Sequence, residues 1–95
     1  MSEKIEVENV NHPGQISRVE ATRYHAVRAA MLAVLPKGTP GMTAAEIKDA
    51  MRPNLQELFP GGDKLGWWQK SVQLDLEAKG FVARAATKPL TFFRP

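Results

Sequence analysis

Between residues 17 and 35 the apolar side chains Tyr24, Val27, Met31, Val34 and Leu35 recur at spacings of three and four. At about 100° per residue they fall on one stripe of a helix. Ser17-Arg18-Val19-Glu20 reads as a capping box, with serine at the N-cap and glutamate three positions on. Pro36-Lys37-Gly38 ends the segment, so the pattern predicts a first helix over 17–35. Thr43-Ala44-Ala45-Glu46 repeats the capping box. Ile47, Ala50 and Met51 supply the inner face of a second helix over 43–52, which Pro53 stops or kinks. Leu55, Leu58 and Phe59 predict one further short helical turn before Pro60-Gly61-Gly62 breaks the chain.

A third helix is expected over 64–79, starting at Asp63 or a neighbour. Leu65, Trp68, Val72 and Leu76 form its core stripe, and Trp67, Leu74 and Ala78 form a second apolar edge. Gln69, Lys70, Gln73 and Glu77 project to the other side. Gly80 stands where a left-handed cap belongs, with Lys79 in the last turn. Two short apolar runs then predict a hairpin, 81–85 pairing antiparallel with 90–94 around a turn near Thr87-Lys88-Pro89. At the other end Ile5 and Val7 alternate with Lys4, Glu6 and Glu8, which suggests a strand, and His12-Pro13-Gly14 punctuates it. Residues 1–16 read as an N-terminal arm and 17–95 as one domain.

The length of 95 residues fits one domain, and 43% hydrophobic content fits a folded chain. Cysteine is absent, so disulfides and thiolate chemistry are excluded, in keeping with a cytoplasmic location. The longest apolar run, near residues 29–35, is far too short to span a membrane. The first ten residues carry three glutamates and no apolar core, unlike a signal peptide. The net charge of +3 is unevenly spread. Residues 1–20 hold two basic and four acidic side chains, whereas residues 21–95 hold eleven and six. No acid follows Glu77, while Lys79, Arg84, Lys88 and Arg94 do. A basic C-terminal end suits a polyanionic partner, or an ordinary solvated surface.

The element order resembles the winged helix-turn-helix family. Met42-Thr43-Ala44-Ala45-Glu46-Ile47 is similar to that family's entry into its second helix. The run Leu74-Asp75-Leu76-Glu77-Ala78-Lys79-Gly80-Phe81-Val82-Ala83-Arg84 is similar to the end of its recognition helix running into the wing. The likeness covers about residues 17–94. It implies an α+β fold: a three-helix core with a C-terminal β-hairpin wing, here with an extra short helical insertion between helices 2 and 3. The Gly-Trp-Trp and Leu-Asp-Leu-Glu-Ala-Lys-Gly segments also resemble a small group of bacterial proteins with no assigned activity. In the compact motif a turn of roughly 3–4 residues joins helices 2 and 3. Residues 52–63 intervene here, and they would shield or tilt the start of the third helix.

The resemblance implies that the face carrying Lys64, Gln69, Lys70 and Gln73 enters the major groove of double-stranded DNA. Glutamine pairs with adenine, and lysine with guanine or phosphate. Arg84, Lys88 and Arg94 would hold phosphates from the wing, or protect a sheet edge. Trp68 is expected in the core. Trp67 is expected to cover Leu58 and Phe59; left exposed, it would stack on a base or anchor a protein partner.

His12 and His25 are too few for a metal site. Glu46 and Asp49 suit capping and solubility. Pro60-Gly61-Gly62-Asp63-Lys64 could capture an anion but lacks the phosphate-loop pattern. No Ser–His–Asp arrangement is available. The expectation is therefore a non-enzymatic protein without cofactor or metal. It would be a DNA-binding winged helix acting as a small transcriptional regulator, or else a protein-interaction module on the same scaffold. A small-molecule sensor is a third reading. Self-association is also expected, with residues 5–10 completing a neighbouring copy and a two-fold dimer presenting two recognition helices.

Overall fold

Residues 3–95 are described by a computed structural model; the first two residues of the expected arm lie outside them. The chain runs β1 (Lys4–Glu8), β2 (Ile16–Glu20), α1 (Ala21–Val34), β3 (Met42–Thr43), α2 (Ala44–Leu55), a 3-10 turn (Pro60–Gly62), α3 (Leu65–Ala78), β4 (Ala83–Ala85) and β5 (Thr91–Phe93). This is a mixed α+β fold of three α-helices and two small antiparallel sheets. Among the described residues no helix is long and apolar enough to cross a membrane.

One sheet is the hairpin of β1 and β2, with Ile5 opposite Val19 and Val7 opposite Ser17. The other has the order β3-β5-β4. Arg84 and Met42 both stand opposite Phe92, on either side of the central strand. The expected C-terminal hairpin is thus present, two residues shorter on each strand. The third strand comes from the extended entry to α2. Gly41 makes this approach feasible. Its φ is +83°, and a Cβ there would lie 2.5 Å from the Phe92 carbonyl oxygen.

The first capping box is not formed. Ser17 to Glu20 belong to β2, α1 begins only at Ala21, and Glu20 caps it without a side-chain hydrogen bond. The reason is the partner strand. Pairing with β1 puts Val19 into the core beside Val7, which outweighs a cap contributing about 1 kcal/mol. The arm is accordingly not a separate appendage. From residue 3 it joins the body across the boundary expected at residue 16, and β1 packs on α3. The strand expected to complete a neighbouring copy is paired within its own chain.

The second capping box is formed reciprocally: Glu46 N–H donates to Thr43 Oγ1 at 3.2 Å, and Thr43 N–H donates to Glu46 Oε1 at 2.9 Å. Helix α2 then continues through Pro53 to Leu55 instead of stopping at Arg52. Proline removes one helical hydrogen bond, while Leu55 and Phe59 beyond it are buried. Ala50 is exposed, and Ile47, Met51 and Leu55 form the inner face instead. Helix α3 ends as expected. Gly80 adopts φ +82°, and the amides of Gly80 and Phe81 reach back to the carbonyls of Glu77 and Leu76. Of the two apolar residues that follow, Val82 is buried and Phe81 is exposed.

The core joins all these layers. Trp68, Val72 and Leu76 of α3 meet Tyr24, Val27 and Met31 of α1, with Ile47 and Met51 from α2 and Phe92 from β5.

Candidate functional site

Helix α3 is enclosed on three sides, and this decides which of its side chains are available. Helix α1 covers the core stripe, β1 packs on one flank, and the start of α2 packs on the other, where Glu77 reaches Arg84 of the C-terminal sheet across a groove. Gly66, Trp67, Lys70 and Ala78 are the exposed residues left on the helix.

Gln69 and Gln73, expected on the outer face, are only 5% and 7% exposed. Gln69 Nε2 donates to the Ala44 carbonyl at 2.8 Å, tying α3 to the start of α2. Gln73 Nε2 donates to Glu77 Oε1 at 2.9 Å. Arg84 is not a free wing cation either. Its guanidinium grips Glu77 in a two-pronged pair, Nε to Oε2 at 2.7 Å and the second nitrogen to Oε1 at 3.0 Å, and lies over the Phe92 ring. The Glu77 hydrogen bonds push the Arg84 pKa upward. Arg94 leaves the wing altogether: its Nε donates to the Leu35 carbonyl at 3.0 Å. That carbonyl lies at the end of α1, where backbone acceptors lack helical partners. Lys64, Lys70 and Lys88 are exposed as expected. Lys64 occupies the N-cap of α3 at φ +61°.

Trp67 does not cover Leu58 and Phe59. Trp68 takes that place, its ring edge-on to Phe59 at 6.1 Å, while Trp67 stands edge-on to Trp68 at 5.3 Å and is 57% exposed. The exposed indole forms one wall of a cleft of about 680 Å³. Leu58, Phe59, Pro60 and Trp68 line it with the indole, and Arg23, Asp63 and Lys64 bring charge to it.

A second concavity lies on a different face of α3. This groove of about 530 Å³ runs between α3, the first turn of α2 and the C-terminal sheet, with Asn11 of the β1–β2 loop also lining it. Leu74, Leu90 and Phe92 give it apolar walls, and Lys48 and Lys70 stand at its edge. Lys48 joins through the chain's local geometry, because its Nζ lies over Gly66, 3.6 Å from where a Cβ would be.

The sequence reading passed over Asp75. Its carboxylate is fully buried, accepts the Tyr24 hydroxyl and the Glu8 N–H (2.8 Å), and pairs with Lys79 at 2.9 Å. One side chain thus fastens β1, α1 and α3 together. Burial, reinforced by the hydrogen bond to Asp75, pushes the Tyr24 hydroxyl well above the ordinary phenol range. The available signal was an acid between two core leucines of an apolar helix. Among the described residues no group of three or more His, Cys, Asp or Glu side chains is placed to hold a metal ion.

The model of a family described as a family of unknown function, DUF6958, matches residues 4–92, and the chain belongs to that family. No curated protein and no solved structure matches it.

Proposed function

We propose that this DUF6958 protein is a winged-helix scaffold serving as a non-catalytic protein-docking module, with Trp67 as the anchor. The scaffold reading is supported by the order α1-β3-α2-α3-β4-β5, in which β3 joins the C-terminal hairpin in one sheet. The docking reading is carried by one observation: a tryptophan 57% exposed on the outward strip of α3, walling an apolar cleft. An exposed indole beside a preformed cleft is the arrangement from which interface hot spots are built. Of the charged residues lining the cleft, Arg23 is paired with Glu20, while Lys64 and Asp63 carry opposite charges. Lys64 sits at the N-cap of α3, and its charge together with that helix end favours a partner segment whose apolar anchor is flanked by carboxylates.

The residues assigned to a duplex point the same way. The Nε2 donors of Gln69 and Gln73, which two-pronged pairing with adenine would need, are taken by internal hydrogen bonds, and the phosphate candidates Arg84 and Arg94 are engaged by Glu77 and the end of α1. A duplex-binding reading retains one supporting observation, namely that Lys48, Lys64, Lys70 and Lys88 have no ion-pair partner among the described residues. Such binding would be sequence-tolerant and salt-sensitive, each phosphate contact contributing about −0.9 to the slope of log affinity against log salt.

Selection of a displayed random-peptide library on the protein, counter-screened on Trp67→Ala, tests the docking reading. Enriched peptides should combine an apolar anchor with acidic flanks and lose roughly tenfold or more in affinity on the variant. Enrichment indifferent to Trp67→Ala would refute it.

A further inference from the structure

The groove beside α3 differs from the Trp67 cleft in one respect: it contains buried polar groups with unused hydrogen-bonding capacity. Gln69 and Gln73 both line it while being more than nine-tenths buried. Each amide donates through Nε2 to a protein acceptor, and the oxygen of each has no partner among the described residues. Among the described residues no side-chain nitrogen or oxygen that is fully shut off from solvent lacks a hydrogen bond. Both oxygens therefore touch solvent, and the solvent space their residues line is the groove. Two acceptors thus stand on a floor that is otherwise apolar.

The charge around them is one-sided. No acidic side chain lines the groove among the described residues, and Arg84 is already neutralised by Glu77. Lys48 and Lys70 have no carboxylate partner among the described residues. The volume of about 530 Å³ lies within the range of roughly 300–1,000 Å³ usual for small-molecule sites, where apolar walls carry a few converging polar groups.

We propose that this groove is a binding site for a small amphipathic carboxylate carrying an N–H donor. The carboxylate pairs with Lys48 and Lys70, the N–H donates to the amide oxygen of Gln73 or is shared between those of Gln73 and Gln69, and the apolar body lies against Leu74, Leu90 and Phe92. The site is separate from the Trp67 cleft and goes beyond the docking reading. Its test does not depend on that reading.

The probe is N-acetyl-L-leucine, titrated into the full chain by calorimetry and by amide chemical-shift mapping. Saturable binding is expected, with shifts confined to residues of the groove. N-acetyl-L-leucine amide, which lacks the charge, should bind roughly tenfold more weakly, as should the acid to Gln73→Ala. Lys70→Ala should weaken the acid about threefold, because that lysine is exposed. Trp67→Ala should leave affinity within about twofold, since additivity holds for separate sites. Far-ultraviolet circular dichroism of each variant checks that the fold is kept, and Leu90→Ala, on the exposed hairpin, provides a second groove variant expected to weaken binding. Absence of saturation, equal binding of acid and amide, or shifts centred on Trp67 would overturn the proposal. Tighter binding of a tetrapeptide ending in the same leucine carboxylate would overturn the small-molecule assignment in favour of a protein terminus.

Discussion

Replacing Asp75 by alanine removes the acceptor for two donors at once. The Tyr24 hydroxyl and the Glu8 N–H both point at a carboxylate with no solvent exposure. Leaving a buried donor unsatisfied costs about 1–3 kcal/mol. Breaking a buried charged cluster by removing one partner costs about 3–5 kcal/mol in all. Lys79 adds little to this, because its side chain is 33% exposed and its ammonium can turn to water. Asp75→Ala should therefore lose about 3–5 kcal/mol, a large share of the roughly 5–15 kcal/mol that holds a typical domain together. Asp75→Asn keeps the volume and one carbonyl acceptor, and should cost about 1–3 kcal/mol. Urea titrations followed by the emission of buried Trp68 give both values, with the slopes checked for two-state behaviour. A cycle with Tyr24→Phe should show coupling of roughly 0.5–3 kcal/mol. An Asp75→Ala effect within about 0.5 kcal/mol, or strict additivity with Tyr24→Phe, would refute the view that this carboxylate fastens the hairpin to the body.

Tyr24 is the only tyrosine, so its phenolate can be followed by absorbance. Its folded pKa is raised above the ordinary 10.0, so this contribution to stability is whole below that pH and declines as pH rises past it. Phenolate should appear together with loss of structure, and ionisation near pH 10 in a still-folded protein would contradict the burial. Leu76→Ala should cost about 2–5 kcal/mol through lost transfer energy and a cavity, and an effect within about 0.5 kcal/mol would place that residue outside the core. Gly41→Ala combines a positive φ with a clash on the Phe92 backbone; a loss of about 2 kcal/mol or more is expected, and a neutral result in thermal unfolding would deny the β3–β5 approach. Arg84→Ala should lower stability by about 1 kcal/mol by leaving the largely buried Glu77 underpartnered, while leaving duplex affinity unchanged; a reduced salt slope would return Arg84 to the phosphate role.

What could be read from the sequence follows from the range of the interactions. The core stripe of α3 and its Gly80 terminator rest on neighbours within a few positions, and Trp68, Val72, Leu76 and the reversed chain at Gly80 lie where the spacing puts them. The Ser17 capping box failed because a four-residue motif says nothing of a partner strand well outside it, where Ser17 pairs with Val7 and Glu20 with Lys4. Pairing with β1 decides that segment. Gln69 and Gln73 were misplaced for a related reason. A helical projection gives the angle from the core stripe but not which other elements close over the flank, and here α2 and the C-terminal sheet do so. Arg84 and Arg94 carry charge, yet their partners lie seven and 59 positions away. A charge count cannot tell an occupied arginine from a free one.

The most direct measurement compares two probes on one isotope-labelled sample at physiological salt. A peptide with an apolar anchor and acidic flanks is titrated in one series and a random-sequence duplex in the other, with the two indole N–H resonances assigned through Trp67→Phe. Docking through α3 predicts that the peptide shifts the Trp67 indole saturably, together with amides around Leu58 and Lys64, and that the duplex produces only weak changes abolished by added salt. Saturable shifts caused by the duplex at Lys48, Lys70 and Lys88, with the Trp67 indole unmoved by the peptide, would contradict the account.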